Sequence, residues 1–248
     1  MDSVSNDGLA VPKGSLILVT GATGMIGSHV VNEALKAGYR VRGTTRSQDR
    51  AKYTTEIFQH HSNFSTAIVE DVTTPGAWDA AMKDVSAVVH LASDVSFNPD
   101  PNIVVKPTEE GVRNILRSAK KAGSVKRFVL TSSSSAVLIP HPNKEVTVGV
   151  DDWDQEALDE AWKPPPYTPE RAFFTYAASK VAGEKALWDF MKTERPDFVA
   201  NAVLPNLNLG AILTAGGPTG SSVQSLLKGE IPAFPPRRLL QMLLGELF

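Results

Sequence analysis

Residues 15 to 27 read Ser15-Leu16-Ile17-Leu18-Val19-Thr20-Gly21-Ala22-Thr23-Gly24-Met25-Ile26-Gly27. A short, continuous apolar run is what a parallel strand looks like when both of its faces are covered. The run empties into glycines at 21, 24 and 27, after which Ile26, Val30 and Ala34 recur at four-residue spacing and Gly38 stops the helix they predict. The next strand-like stretch, Arg40 to Thr45, arrives at the distance of a βαβ unit. Glycine spacings of this kind arise by accident in a chain with 18 glycines; a buried strand on one side and a helix on the other give them meaning. The three glycines then allow a tight turn, close approach of main chain to a pyrophosphate, and close packing of helix on strand. Free N–H groups at the helix start face an anion. The stretch predicts a dinucleotide site, with Gly21, Thr23, Gly24, Met25, Ile26 and Gly27 around the phosphates.

Further strand-like runs occur at Ala67–Glu70, Ala87–Leu91, Arg127–Thr131 and Val199–Leu204, separated by helical patterns such as Asn114–Gly123. Six strands alternating with helices predict an α/β fold, a doubly wound and mostly parallel Rossmann sheet over residues 12–210. Ligands of such sheets lie beyond the carboxyl ends of the strands. Residues 138–171 break the alternation with His141-Pro142-Asn143, an acidic Asp151-Asp152-Trp153-Asp154, and Lys163-Pro164-Pro165-Pro166-Tyr167. An excursion of that length reads as a wall on the substrate side, with its acidic cluster as a solvated face.

At 248 residues and 42% hydrophobic content the chain can bury a substantial core. A net charge of -2 argues against nucleic acid or an anionic membrane as a partner, and no apolar run reaches membrane-spanning length. Cysteine is absent, which excludes disulfides and thiolate chemistry and fits the reducing cytosol. His29, His60, His61, His90 and His141 show no zinc-site spacing, so no metal is expected.

Tyr176-Ala177-Ala178-Ser179-Lys180 puts a phenol and an ammonium on one face of a helix, between the fifth and sixth strands. The serine run Ser132 to Ser135 ends the fifth strand on the expected ligand side. A free phenol, with a pKa of about 10, is a poor acid–base catalyst at neutral pH, and a nearby ammonium is expected to lower that value. Tyr176 can then protonate a carbonyl oxygen that Ser133 also holds, while a nicotinamide delivers hydride to the carbon. Lys180 can in addition hold the nicotinamide ribose.

Taken together, Thr20 to Gly27, the serine ending the fifth strand, and Tyr176 with Lys180 resemble the extended short-chain dehydrogenase/reductases. Within that family Arg127–Ser133, Tyr176–Lys180 and Asn201–Asn206 are most similar to NADPH-dependent aldehyde and ketone reductases of the fungal kind, relatives of dihydroflavonol reductase. The likeness runs from about Pro12 to Pro232. It implies a catalytic trio of Ser133, Tyr176 and Lys180. It also implies that Asp71 and Val72 lie on the adenine side, that Ala92 and Ser93 line the cofactor, and that Pro205 lies beside the nicotinamide. Where several epimerase-like relatives carry an asparagine after the fourth strand, this chain has Lys106-Pro107-Thr108, which argues against copying their proton relay.

NAD-dependent versions of this fold place an acid at the end of the second strand, about 20 residues after the glycine turn. Here the stretch reads Arg42-Gly43-Thr44-Thr45-Arg46-Ser47, with Arg50 following. A guanidinium matches a phosphate, so NADPH is expected over NADH, with Arg46 as the main contact and Arg50 as a second; Arg42 and Arg46 together speak against an NAD-retaining epimerase.

The resembled family continues past the sixth strand into a substrate-covering lobe. In this chain the likeness fades after Gly229-Glu230-Ile231-Pro232, and Leu239 to Phe248 reads as a short apolar helix. Residues 211–248 are therefore expected to be an incomplete remnant of that lobe, through truncation or an altered reading frame. The leading expectation is an NADPH-dependent reductase of a small aldehyde or ketone, serving secondary metabolism, with its oligomeric state open. Two alternatives stand beside it: a nucleotide-sugar epimerase or dehydratase, and a truncated, non-catalytic NADP(H)-binding protein.

Overall fold

A computed structural model describes residues 8–141, 143–214, Ser225 and 227–229. Its centre is β1 (Leu16–Thr20), every residue of which is buried. Side chains alternate across a strand, so the apolar run serves two cores at once. Leu16 and Leu18 face Val88, Phe128, Ile115, Leu116 and Leu187 on one side, and Ile17 and Val19 face Val31, Leu35 and Phe58 on the other.

Beside β1 lie β2 (Arg40–Thr45) and β4 (Val85–His90), and the full order is β3 (Phe64–Ile68), β2, β1, β4, β5 (Arg127–Thr131), β6 (Val199–Val203). All five pairings are parallel. Helices α1 (Met25–Lys36), α2 (Gln48–Ile57), α3 (Pro101–Ala122), α4 (Gln155–Ala161) and α5 (Ala172–Glu194) complete the described elements. This is the expected doubly wound sheet. The third strand starts at Phe64 rather than Ala67 because it is an edge strand, half-exposed along its length, and such a strand carries no continuous apolar run. Phe64 tilts against Phe58 at 4.9 Å and fills the space left by Gly43 in β2, where a Cβ would stand 2.8 Å from the Ala22 Cβ and 3.1 Å from the Phe64 ring.

The helical pattern at 114–123 is the second half of α3. Asp100 caps its start by accepting from the Asn102 N–H at 2.9 Å, Pro101 occupies the first turn, and Gly123 ends it at φ 67°. Residues 138–171 are not a bare loop. They contain α4, which packs Ala161 against Val105 of α3 and Ala178 of α5. The acidic cluster is not uniformly solvated either: Asp154 is buried, caps α4 by accepting from the Ala157 N–H at 2.8 Å, and has its carboxyl pKa raised by burial. The expected remnant lobe and its apolar helix lie outside the described residues, apart from 211–214, Ser225 and 227–229.

Strand order reverses between β1 and β4, and one hydroxyl closes that point. Thr20 Oγ1 accepts the N–H groups of Leu91 and Ala92, each at 2.9 Å, and lies 2.9 Å from His90 Nδ1. With both accepting positions taken, its single proton goes to Nδ1, so His90 carries its own proton on Nε2. Burial, helped by the charge of Lys180, lowers the His90 pKa to about 3, and the ring is neutral.

Candidate active site

The glycine turn lies at the carboxyl end of β1, beside that reversal. Gly21 adopts φ +65°, and a Cβ there would be 3.1 Å from the Ala92 nitrogen. At Gly27 a Cβ would stand 2.1 Å from the Gly21 oxygen, whereas at Gly24 it would meet that oxygen alone, at 3.3 Å. Gly27 thus lets α1 press onto the turn, and Gly24 faces open space. Gly24 is also the N-cap of α1, with no side-chain cap and no acid in the first turn. A helix start of this kind holds uncompensated positive partial charge. Thr23, Met25 and Ile26 complete the turn and the first helical residues. The arrangement fits an anion, and it fits the diphosphate of a dinucleotide.

Arg46 follows β2 and Arg50 lies in the first turn of α2; both are exposed. Neither forms an ion pair with another described side chain. Arg42 is different: its Nη1 donates to the carbonyls of Ala81 and Lys83 at 2.7 and 2.8 Å. It braces the segment before β4, and that Nη1 is committed to main-chain carbonyls. Asp71 follows β3 and accepts from the Thr73 N–H, the Thr73 hydroxyl and the Thr74 hydroxyl at 2.8, 2.6 and 3.0 Å, which holds its carboxyl below the usual range. Val72 packs toward Gly111 of α3, where a Cβ would be 3.1 Å from Val72 Cγ2. Asn114, which sequence reasoning did not single out, fixes this loop by donating to the Val72 and Thr73 carbonyls.

Three strand ends and one helix then converge. Ala92 and Ser93 follow β4. After β5, Ser133 caps a single 3-10 turn and accepts from the Ser135 N–H at 3.3 Å and the Ser135 hydroxyl at 2.9 Å. After β6, the Pro205 carbonyl accepts from the Ser134 N–H at 3.0 Å, which puts Pro205 against the serine turn. Tyr176 lies in the second turn of α5, where the Ser133 hydroxyl acts to lower the pKa of its phenol. Lys180 Nζ lies 5.5 Å from the Tyr176 ring centroid, over its face, and is buried.

The electrostatics correct one expectation. Burial raises the Tyr176 phenol above its ordinary value, offset in part by the Ser133 hydroxyl; the net shift is upward rather than the lowering expected of a nearby ammonium. The ammonium is itself pushed down to about 8 by burial. Desolvation outweighs attraction here. At neutral pH the phenol holds its proton and the amine remains mostly charged.

An aromatic wall around the phenol was not visible in the sequence. Phe97, at φ 54°, lies 5.1 Å from the Tyr176 ring and Phe173 lies 6.2 Å from it. A non-glycine residue at positive φ is unusual, and such positions cluster at functional sites. The 138–171 excursion is tied to the start of α3, where Tyr167 accepts from Asn102 Nδ2 at 3.3 Å, and to itself, where Arg171 donates to the Lys163 and Pro164 carbonyls.

This constellation has known counterparts. The pattern of the NAD dependent epimerase/dehydratase family matches residues 17–208. The chain belongs to that family. Among curated members of the NAD dependent epimerase/dehydratase family, the Aspergillus terreus protein named NAD-dependent epimerase/dehydratase terH is 47% identical over 82% of this chain and 60% of its own length. Aldehyde reductase 2 of Sporidiobolus salmonicolor is 42% identical over 91% of this chain and 67% of its own length. Among solved structures, yeast methylglyoxal/isovaleraldehyde reductase Gre2 complexed with NADPH superimposes with a TM-score of 0.70 at 33% identity, covering 79% of this chain and 59% of that one. The chain thus spans about three fifths of the length of relatives such as terH and Gre2. No helix among the described residues is long and apolar enough to cross a membrane.

Proposed function

We propose that this chain carries the coenzyme site and the acid–base residues of an NADPH-dependent reductase that converts a small aldehyde or ketone to an alcohol. One observation carries the reading: Ser133, Tyr176 and Lys180 converge at the carboxyl edge of the sheet, beside the glycine turn, with the phenol in its protonated form. The names of the similar proteins, an aldehyde reductase and an NADPH-bound reductase of methylglyoxal and isovaleraldehyde, support the same chemistry.

In this mechanism the start of α1 and the turn at Gly21, Thr23, Gly24, Met25, Ile26 and Gly27 hold the diphosphate. Arg46, with Arg50 as a second cation, would hold the 2′-phosphate. Asp71 and Val72 would hold the adenine side of the coenzyme, and Ala92, Ser93 and Pro205 its nicotinamide side. The bound coenzyme supplies the hydride for the carbonyl carbon. Tyr176 holds a proton at Oη and gives it to the carbonyl oxygen, and the Ser133 hydroxyl donates to that same oxygen. Lys180 stabilises the phenolate left behind. Phe97 and Phe173 keep water from the phenol and favour an apolar substituent on the substrate. The cysteine-free composition supports a cytosolic setting.

The test is NADPH and NADH consumption with a panel of aldehydes and ketones, for the wild type and Arg46→Ala. NADPH is expected to be preferred, and the variant to lose about 10- to 100-fold of that preference, the worth of charge-assisted hydrogen bonds. An unchanged preference in Arg46→Ala removes the phosphate assignment. Coenzyme binding with no carbonyl-dependent consumption would favour a non-catalytic NADP(H)-binding protein, and tightly retained NAD a nucleotide-sugar epimerase.

A further inference from the structure

Lys180, the ends of β4 and β5 and the facing sides of α3 and α5 line a partly open cavity of about 20 Å³. That volume accommodates one water molecule. Ser93, Ser132, Lys180 and Glu184 lie on its wall. Ser93 Oγ, Ser132 Oγ and Glu184 Oε2 are buried without a hydrogen-bond partner among the described residues, a condition that buried polar atoms rarely tolerate. Three such atoms around one cavity are one site rather than three defects.

The neighbouring groups are already committed. Glu184 Oε1 accepts from Trp188 Nε1 at 3.3 Å, which fixes the carboxylate and leaves Oε2 to the cavity. Thr108 spends its hydroxyl on the Val104 carbonyl at 2.7 Å. His90 uses Nδ1 on Thr20. Lys180 has three N–H donors, and its contact with the face of the Tyr176 ring consumes none of them as a conventional hydrogen bond.

We propose that this cavity binds a single internal water that joins Lys180 Nζ to the Glu184 carboxylate and to Ser132 and Ser93, making Glu184 a positioning residue for the ammonium. The hydrogen-bond count closes. The water accepts from Lys180 Nζ and from one serine hydroxyl, and it donates to Glu184 Oε2 and to the other serine oxygen. Four bonds are met, and each of the three orphaned oxygens gains a partner. Titratable groups on or beside this wall are Tyr176 and Glu184 from the helix of Lys180 and neutral His90 from β4; α3 contributes Thr108 and Val112, and β5 contributes Leu130, Thr131 and Ser132. Glu184 is therefore the one acid on the wall, held one water away from the ammonium. In this arrangement a carboxylate one water away favours the charged form of the amine. The catalytic use of Lys180 rests on the reductase reading, whereas the water site does not.

The test is made on the protein without coenzyme. Lysine labelled with 15N at the side-chain nitrogen, with the Lys180 signal assigned from Lys180→Met, reports the amine's titration directly. Glu184→Gln keeps the side chain's shape and removes its charge. The Lys180 midpoint is expected to move down from about 8 by roughly one pH unit, the size expected of losing one nearby opposite charge. Ser132→Ala is expected to move it by less. A crystal structure should show one water within hydrogen-bond distance of both Lys180 Nζ and Glu184 Oε2. An unmoved midpoint in folded Glu184→Gln, a dry cavity, or a direct Lys180–Glu184 bond would each overturn the proposal. Should Glu184→Gln fail to fold, the wild-type density decides alone. The expected shift without any carbonyl reduction would remove the reductase reading and leave the water site standing.

Discussion

Tyr176→Phe is expected to lower carbonyl-dependent NADPH consumption by about a thousandfold, within the range for losing a positioned general acid, and to leave NADPH affinity within about threefold of wild type. The variant removes one oxygen. Its ring stays between Phe97 and Phe173, 5.1 and 6.2 Å away, and under Lys180, so packing and the coenzyme side are preserved. The wild type should in addition lose activity as pH rises through about 8, where Lys180 loses its charge; the phenol, raised by burial, keeps its proton over that interval. Stopped-flow consumption traces and a pH profile check both statements. Residual activity within tenfold of wild type would mean that the proton comes from elsewhere.

The second large effect is expected at Gly27. An alanine Cβ there would stand 2.1 Å from the Gly21 oxygen, 2.9 Å from its carbonyl carbon and 3.2 Å from Ala22 Cα. All three are main-chain atoms, so no flexible side chain can swing away, and α1 must move off the turn. Overpacking of this kind costs about 3 kcal/mol or more, which for a domain of this size lowers Tm by about 6–12 °C. Affinity for NADPH should vanish with it. Gly24→Ala is the companion measurement: its Cβ meets the Gly21 oxygen alone, at 3.3 Å, so the fold should hold while the approach of a phosphate is obstructed. Equal melting losses in the two variants would show that the cradle was misassigned.

These residues differ in how far the chain alone reveals them. The run Leu16–Thr20 and its glycines are legible because burial on both faces writes a continuous apolar signal, and because a glycine at close approach has no substitute. Tyr176 and Lys180 are legible by helical spacing and by their place between the fifth and sixth strands. The start of β3 is not, since an edge strand mixes Phe64 with Ser65 and Thr66. Nor is Phe97 beside the phenol, because a bulky residue at positive φ contradicts local preference and is held there by tertiary contacts. Arg42 and Arg46 look alike in sequence. Only the side-chain directions separate the one that braces Ala81 and Lys83 from the one that faces solvent. Lys180 and Tyr176 show the limit of spacing as a guide to acidity: the four-residue interval places the pair, and burial sets the sign of the shift.

Because every strand pairing runs parallel, the connections that enter the strands gather on the opposite rim, a strand length of about 17 Å from the end that carries Ser133 and Pro205. The turn between α2 and β3 is one of them. There the Phe58 and His61 carbonyls and the Asn63 oxygen take part in main-chain bonds, whereas Ser62 is exposed. A fluorophore attached to the exposed side chain at Ser62 would therefore report on the molecule without breaking those bonds. The same rim is where sequence drift among relatives should be most freely accepted.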